Sequence, residues 1–182
     1  MRIIAGSLKG RTFESPGSFK THPMSDKARG ALFNVLGDID DLTFLDAFAG
    51  SGALGFEAIS RGAHSVTSID NDRQAQKAIA ENVKALGLHG KVHVINASAN
   101  AWLETNPTAM FDIVLCDPPY DNLQPNLIER LGRRVEEDGL LVLSWPASQE
   151  PPEIEGLRQL EYRQYGDASL IFYRPDANER TL

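Results

Sequence analysis

The feature that most constrains the fold of this chain is a regular alternation of apolar and helical segments that begins at residue 42. The apolar segments are TFLDAF, SVTSID, KVHVIN, FDIVLC and GLLVLSW. The helical segments between them are ALGFEAISR, DRQAQKAIAENVKALG, SANAWLE and LQPNLIERLGRR. Near-continuous apolar strands separated by helices of this length are typical of βαβ units, whose parallel sheet is buried on both faces. We therefore predict an α/β protein with a doubly wound, mostly parallel sheet.

The pattern changes after Pro151-Pro152. The segments LRQLEYRQY and SLIFYR have the composition of strands, and the dipeptide Gly166-Asp167 between them favours a tight hairpin connection. Adding this antiparallel pair to the five preceding strands gives a predicted sheet of seven strands. The residues after Arg174 are expected to fray.

The first 38 residues differ in composition from the rest, and we predict that they form an extension (1–38) ahead of a main domain (39–182). The segments RIIA and RTFE flank a Gly/Ser turn, as expected for a short β-hairpin. A Pro/Gly/Ser loop follows at 15–23. Ser25 is a typical helix N-cap and Gly37 a typical helix terminator, so they bound a predicted helix that ends near Leu36.

The net charge of −7 argues against a nucleic-acid partner, but the charge is unevenly distributed. Residues 1–30 hold six of the 18 Lys and Arg side chains and only two of the 25 Asp and Glu side chains. A basic segment on an acidic body favours contact with a polyanion, and a solvated charged terminus is an equally good interpretation. The candidate RNA contacts are Arg2, Lys9, Arg11, Lys27 and Arg29, with His22 as a further candidate.

The composition also limits the compartment and the cofactors. Cys116 is the only cysteine, which excludes an internal disulfide and fits a reducing cytoplasm, and it is expected to be an inert core residue. No run approaches eighteen apolar residues, and the first ten residues lack the apolar core of a signal peptide. The four histidines are scattered and no Cys/His cluster has zinc spacing, so we expect no metal and no membrane contact.

A glycine-rich turn, FAGSGALG, follows the first predicted strand and contains the pattern G-x-G-x-x-G. Glycines let a ligand approach the backbone, and the helix that follows presents free N–H groups. Asp70 ends the second predicted strand twenty residues after Gly50, where a carboxylate can accept from both hydroxyls of an adenosine ribose. Gly50, Gly52 and Asp70 therefore predict an adenosine-containing ligand, whereas Gly55 is expected to permit close helix packing.

Asp46, inside the first predicted strand, discriminates between adenosine ligands. A carboxylate near the turn suits the sulfonium and ammonium groups of S-adenosyl-L-methionine better than the pyrophosphate of NAD. The alternative is that Asp46 accepts backbone N–H groups and caps the turn. We predict S-adenosyl-L-methionine as the cofactor.

The segment LCDPPYDN follows the fourth predicted strand, and ligand crevices of open α/β sheets lie at the carboxyl ends of strands. Pro118 and Pro119 stiffen the chain, so the Asp117 carboxylate and the Pro118 carbonyl are held with little entropy left to lose. Two acceptors beside the Tyr120 ring suit an exocyclic NH₂ whose base stacks on that ring. Accepting both N–H bonds favours the pyramidal amine that attacks a methyl sulfonium. We predict that residues 117–120 form the catalytic group; the alternative is that they form only a rigid polar loop. Phenylalanine stacks as well as tyrosine, so Tyr120→Phe is expected to change the activity very little.

Five motifs together resemble one family: R-I-I-A-G-x-x-K-G-R (2–11), S-D-K-A-R-x-x-L-F-N (25–34), D-A-F-A-G-S-G-A-L-G-x-E-A-x-S-R-G-A (46–63), D-P-P-Y (117–120) and Y-G-D-A-S-L (165–170). They are similar to class I S-adenosylmethionine-dependent methyltransferases that modify base amino groups, and more closely to the bacterial RsmD family of 16S rRNA guanine-N2 methyltransferases. The long glycine block and the N-terminal segments are far more specific than D-P-P-Y, which also occurs in DNA adenine methyltransferases.

The resemblance implies a Rossmann-like methyltransferase domain in residues 39–182, with strand order 3-2-1-4-5-7-6. It implies amine contacts at Asp117, Pro118 and Tyr120, and 16S rRNA or the small ribosomal subunit as the partner of a monomer. Related enzymes commonly have Asp or Asn where this chain has Ser98, whose hydroxyl can still accept a bond from the adenine amino group. The implied cofactor contacts are Asp46, Ala49, Gly50, Ser51, Gly52, Asp70, Asn71, Ser98, Ala99 and Asp117.

Three other functions stay open at this stage. A DNA or RNA adenine-N6 methyltransferase shares D-P-P-Y, but the DNA enzymes usually carry an added target-recognition domain, for which 182 residues leave no room. An NAD-dependent oxidoreductase shares the glycine turn, but the chain lacks a Tyr-x-x-x-Lys or comparable hydride-site pair. A non-catalytic RNA-binding module would not need an intact 117–120 segment. The sequence therefore favours methyl transfer to guanine N2.

Overall fold

The computed structural model describes residues 1–17 and 24–176, which form two compact units, Met1–Ser98 and Ala99–Leu182. His22 and Lys20, like most of the predicted tail, lie outside the described residues. The predicted boundary between residues 38 and 39 stays a prediction. No helix in the described part of the chain is long and apolar enough to cross a membrane.

The first unit contains three parallel strands and three helices. Its elements are α1 (Asp26–Leu36), β1 (Thr43–Asp46), α2 (Ala53–Ser60), β2 (Ser65–Asp70), α3 (Arg73–Leu86) and β3 (Val92–Asn96). β2 pairs in parallel with β1 and with β3. The predicted hairpin is present as a short antiparallel pair around the Arg2–Thr12 bridge, in which the Ile3 N–H donates to the Arg11 carbonyl at 2.9 Å and the Phe13 N–H donates to the Met1 carbonyl at 3.0 Å.

The boundaries of α1 follow the predicted capping chemistry. The Ser25 hydroxyl accepts the Ala28 N–H at 3.2 Å at the start of α1, and Gly37 ends that helix with a φ of 73°. α3 begins after Asp72, whose carboxylate accepts the Gln74 N–H at 2.8 Å. These local interactions are readable from sequence because each involves residues two or three positions apart.

The second unit contains α4 (Ala99–Thr105), β4 (Phe111–Cys116), α5 (Pro125–Gly132), β5 (Val135–Pro146), β6 (Leu157–Tyr165) and β7 (Ala168–Pro175). β4 and β5 are parallel, and β7 pairs antiparallel with β5 and with β6. β5 starts four residues before the predicted segment GLLVLSW. The β4–β5 register shifts between Phe111 and Ile113, opposite the added residues. A Cβ at Gly139 would lie 2.4 Å from the Asp112 carbonyl oxygen, so a glycine allows this close approach.

The strand order of the seven-stranded sheet is β3-β2-β1-β4-β5-β7-β6. This confirms the predicted α/β class, the mostly parallel sheet and the terminal antiparallel pair. The strands of the central sheet are apolar and buried, as a parallel sheet covered on both faces requires.

The N-terminal segment is attached to α2 by a buried carboxylate. Glu57 is completely buried, and its oxygens accept the backbone N–H groups of Ile4 at 2.8 Å and Ala5 at 3.0 Å. Arg61 donates to the same carboxylate at 2.8 Å, and the fully buried Arg29 lies 3.8 Å away. Because a buried charge is stable only when paired and hydrogen-bonded, these contacts fix the segment in one position.

Gly6 makes a second attachment of the segment to α2. A Cβ on Gly6 would lie 1.8 Å from the Ser60 carbonyl oxygen, and its φ is 81°. The Ser60 hydroxyl donates to the Ala5 carbonyl and accepts the Leu8 N–H at 2.9 Å. The first glycine of the A-G-x-x-K-G motif is therefore required by close approach to the end of α2.

Candidate active site

The glycine turn after β1 has the left-handed backbone that its sequence predicts. Gly50 has a φ of 51° and Gly52 a φ of 76°, and both values favour glycine. The Gly52 N–H donates to the Ala49 carbonyl at 2.7 Å, and Gly52 is the N-cap residue of α2. A Cβ on Gly52 would lie 2.9 Å from the Phe56 ring, so the turn is compact.

Gly55 has a packing role. A Cβ there would lie 3.2 Å from both the Ser68 hydroxyl and a Val66 methyl group on β2. The missing side chain thus lets α2 approach the sheet closely, as the sequence predicted for this third glycine.

Asp70, at the end of β2, holds the glycine turn directly. Its Oδ2 accepts the Gly50 N–H at 2.8 Å, and its Oδ1 accepts the Asp72 N–H at 2.8 Å. Each carboxylate oxygen has a second lone pair, so Asp70 can still accept from a ligand hydroxyl. Sequence reasoning gave Asp70 only a role toward the ligand, and the structure adds a role in shaping the turn.

Gln76 is a residue that sequence reasoning missed. Its side-chain amide donates to the carbonyl oxygens of Asp70 at 2.9 Å and Ile95 at 2.6 Å. Gln76 is buried on α3 and so ties together the carboxyl ends of β2 and β3, where Asp70 and the chain toward Ser98 lie. A single polar residue on an amphipathic helix carries no sequence signal for such a role.

The remaining cofactor candidates of the first unit form a buried group and an exposed group. Asp46, Ala49 and Ser51 are buried around the turn, and the Ala49 N–H donates to the Ile69 carbonyl at 2.9 Å. Asn71 and Ser98 are exposed just after β2 and β3. Residues at the carboxyl ends of adjacent parallel strands share one edge of the sheet, which is where open α/β sheets bind ligands.

The D-P-P-Y segment follows β4 in the second unit and is organised by Ser144 of β5. Cys116 pairs with Leu143 in the parallel register, so Asp117 and Ser144 are the next residues of the two strands. Ser144 is 4% exposed, hydrogen bonds to Asp117, and its Oγ lies 2.9 Å from the Tyr120 hydroxyl. Sequence reasoning missed Ser144 because it lies within an apolar strand pattern. Cys116 is buried, as predicted.

The electrostatics of this segment follow from partial burial. Burial raises the pKa of Asp117 to about 6, and the hydrogen bond from Ser144 lowers it in part. The pKa of Tyr120 is raised by burial, lowered by its bond to Ser144, and raised by the nearby Asp117. Asp117 is therefore mainly a carboxylate at pH 7, while Tyr120 stays protonated and exposes 40% of its surface. An acceptor-only group beside an accessible ring can bind a base amine and stack its ring.

The basic N-terminal residues differ in their availability to a polyanion. Arg2, Lys9 and Lys27 are exposed, and Arg2 lies 3.3 Å from Asp26. Arg11 is exposed, but its guanidinium donates to the Ala85 and Leu86 carbonyls at the end of α3.

Arg29 requires a correction. Its side chain is 0% exposed and donates to the Arg2 carbonyl at 2.8 Å and to Asp26 at 2.9 Å. A buried and paired guanidinium cannot reach a phosphate, so Arg29 supports the N-terminal segment instead of contacting RNA.

Comparison with known proteins agrees with this arrangement. A family model described as "Conserved hypothetical protein 95" matches residues 1–174. YlbH of Bacillus subtilis, provisionally named an rRNA methyltransferase, is 33% identical over 181 residues, which are 96% of this chain and 98% of that protein. Ribosomal RNA small subunit methyltransferase D of Escherichia coli is 38% identical over 142 residues, 78% of this chain and 69% of that protein.

A solved structure from Escherichia coli, provisionally described as the methyltransferase yhhF, superposes with a TM-score of 0.87 at 30% identity. The match covers 97% of this chain and 98% of that chain. The chain therefore belongs to the Conserved hypothetical protein 95 family, which confirms its resemblance to the RsmD methyltransferases.

Proposed function

We propose that this protein transfers a methyl group from S-adenosyl-L-methionine to the exocyclic N2 amine of a guanine in 16S rRNA. The observation that carries the proposal is the half-buried Asp117 carboxylate, held by Ser144 and flanked by the accessible Tyr120 ring. The relatives named as rRNA methyltransferases support RNA as the substrate class.

The glycine turn fits the cofactor. Its left-handed glycines place no side chain between a ligand and the backbone, and Asp70 keeps acceptor positions for ribose hydroxyls while it holds the turn. Asp46 supplies a buried carboxylate next to the turn, suited to a cationic group. The proposed contacts in the first unit are therefore Asp46, Ala49, Gly50, Ser51, Gly52, Asp70, Asn71 and Ser98. S-adenosyl-L-methionine would supply an electrophilic methyl group on a sulfonium.

Asp117 and Pro118 would activate the substrate amine. An aromatic amine is a weak nucleophile because its lone pair is delocalised into the ring. The Asp117 carboxylate and the Pro118 carbonyl accept the two N–H bonds, which concentrates the lone pair on nitrogen. With a pKa of about 6, the Asp117 carboxylate can also take the proton that the methylated amine must lose.

The guanine assignment depends on the pattern of donors. The Watson–Crick edge of guanine presents N1–H and N2–H₂ side by side, and a carboxylate accepts from both without a mismatched group. An aspartate at position 117 thus matches the donor pattern of guanine. Tyr120 replaces the stacking that the base loses when it leaves its neighbours.

The exposed cations of the N-terminal segment supply the proposed RNA surface. Lys9 and Lys27 are exposed, and Arg2 and Arg11 add charge beside them. The rest of the chain is acidic and would repel phosphates, so binding would be confined to this segment.

The test is methyl transfer to RNA from cells that lack this gene. Purified protein and labelled S-adenosyl-L-methionine are mixed with naked 16S rRNA or with small subunits, and the RNA is digested to nucleosides for mass spectrometry. We expect label only in N2-methylguanosine, with none from the Asp117→Ala variant. Label in N6-methyladenosine would refute the guanine assignment, and the absence of transfer to either RNA would refute the proposed activity.

A further inference from the structure

We infer that Ser144 is a positioning residue that fixes the catalytic segment through a directed hydrogen-bond chain from Tyr120 to Ser144 to Asp117. The inference rests on the proposed function, because it assigns a role within that reaction. Ser144 meets both partners because the β4–β5 register places it alongside Asp117. Its hydroxyl lies 2.9 Å from the Tyr120 hydroxyl, and Ser144 is 4% exposed, so water does not readily replace either bond.

The direction of the chain follows from the number of protons available. A serine hydroxyl has one proton to donate and two lone pairs. An ionised Asp117 has no proton on its carboxylate and can only accept, so Ser144 donates to it. The Ser144 proton is then used, and the Tyr120 hydroxyl must donate to the Ser144 oxygen. Protonation of Asp117 removes its charged acceptor, so the direction of the two hydrogen bonds is then no longer fixed.

The chain has two consequences for a bound base. It ties the hydroxyl end of Tyr120 to β5, so the ring is held in one plane before the base arrives. Ordering the ring in advance removes part of the entropy cost of stacking. It also holds the Asp117 carboxylate by one hydrogen bond from Ser144 and leaves lone pairs on both oxygens for the N–H groups of the base. The sequence-based expectation that Tyr120→Phe is nearly silent is therefore revised, because phenylalanine cannot donate to Ser144.

The first measurement needs no activity. Carboxyl carbons of Asp are labelled with ¹³C, and the titration of Asp117, assigned by its loss in Asp117→Asn, is followed by NMR in the free protein. In Ser144→Ala the midpoint of Asp117 should rise by about one pH unit, the size of one lost hydrogen bond to a charged group. Tyr120, whose pKa the nearby Asp117 raises, is monitored by its ultraviolet absorbance.

The second measurement is single-turnover methyl transfer as a function of pH. The acidic limb of kcat/KM should move upward with the Asp117 midpoint in Ser144→Ala, and Ser144→Thr should restore it. Tyr120→Phe should lose about three- to tenfold in kcat/KM, the size of one neutral hydrogen bond. Combined with Ser144→Ala, it should lose little more, because the two residues belong to one chain.

Two matched controls come from the same sheet. Ser169 is a fully buried serine on β7 that donates to the Trp145 carbonyl at 3.0 Å, and Tyr173 donates to the Pro152 carbonyl at 2.8 Å. Ser169→Ala and Tyr173→Phe remove equivalent hydroxyls, so they should lower the melting temperature without moving the Asp117 midpoint.

An unchanged Asp117 midpoint in Ser144→Ala would overturn the inference, and so would fully additive losses in the double variant. A wild-type protein that transfers no methyl group to RNA would refute the proposed function instead. The NMR result would then still decide whether the hydrogen-bond chain exists.

Discussion

The replacement of Asp70 by alanine tests whether the glycine turn is a cofactor site or only a tight connection. In the structure the two carboxylate oxygens accept different backbone donors, Gly50 N–H and Asp72 N–H, each at 2.8 Å. Asp70→Ala removes both bonds and leaves the Gly50 end of the turn without its support. The proposed ribose contact disappears in the same substitution.

The magnitude can be worked out from these bonds. A hydrogen bond to a charged group contributes about 1.5–3 kcal/mol, and loss of the ribose contact should weaken S-adenosyl-L-methionine binding by about that amount. This corresponds to a roughly 10- to 150-fold rise in Kd. Gly50 is buried, but Asp70 and Asp72 are partly exposed, so water can replace the bond to the Asp72 N–H. The free energy of unfolding should therefore fall by only about 1–3 kcal/mol.

Asp70→Asn provides a finer test. A carboxamide has one oxygen and one NH₂, so it can accept from Gly50 or from Asp72 but not from both through separate oxygens. Its NH₂ would face a backbone donor. We therefore expect a loss of affinity intermediate between the wild type and Asp70→Ala.

Asp72→Ala is the matched control, because it removes a carboxylate only two residues after Asp70. The Asp72 carboxylate caps α3 and has no proposed contact with the cofactor. The substitution should cost about 0.5–2 kcal/mol of stability and leave cofactor affinity unchanged. The assays are calorimetric titration with S-adenosyl-L-methionine and denaturant unfolding. Normal affinity in Asp70→Ala would refute the role assigned to this turn.

Three further predictions concern the rest of the molecule. Gly6→Ala should lower the free energy of unfolding by at least about 3 kcal/mol. Gly10 has a φ of 84° and no atom near the position of its Cβ, so Gly10→Ala should lower it by only about 1 kcal/mol. Equal losses for the two variants in denaturant unfolding would contradict this prediction. Neutralising Lys9 and Lys27 to glutamine should weaken RNA binding and lower the slope of log Kobs against log salt by up to about 2, whereas the same change at the two lysines of α3 should not. Asp117→Asn should raise the free energy of unfolding by about 1 kcal/mol at pH 8 but not near pH 4. The reason is that the raised pKa of Asp117 makes its ionised form, which dominates above about pH 6, unfavourable in the folded protein. Equal stability of the variant and the wild type at both pH values would argue against that pKa.

Local patterns in the sequence predict most of the fold. The α1 cap at Ser25, the α3 terminator Gly87 and the period of the strands all depend on residues close together in the chain. The bulged start of β5 could not be predicted in this way. It depends on the approach of Gly139 to the backbone of β4, a contact between residues far apart in sequence.

In the candidate site, too, the features with a local sequence pattern were predicted and those that depend on distant contacts were not. The glycine turn, Asp70 and the D-P-P-Y segment have recognisable spacing, so the sequence predicts them as a ligand and catalytic group. Ser144 on β5 contacts the D-P-P-Y segment and Gln76 on α3 contacts the ends of β2 and β3, and neither has a local pattern that distinguishes it. The charge of Arg29 predicted a surface role, but its burial depends on Glu57, 28 positions later in the chain.

α2 connects the proposed RNA-binding segment to the proposed cofactor turn. The helix begins directly after the glycine turn, and Glu57 and Ser60 in its second half hold residues 4–8 of the N-terminal segment. Eight helical residues rise about 12 Å, and every one of them is buried, so the helix cannot shift at one end alone. A substitution at Glu57 should therefore disturb both cofactor and RNA binding. Exposed cations such as Lys9 can alter RNA binding while leaving the cofactor turn intact. They, and not the buried anchors, therefore separate the two functions.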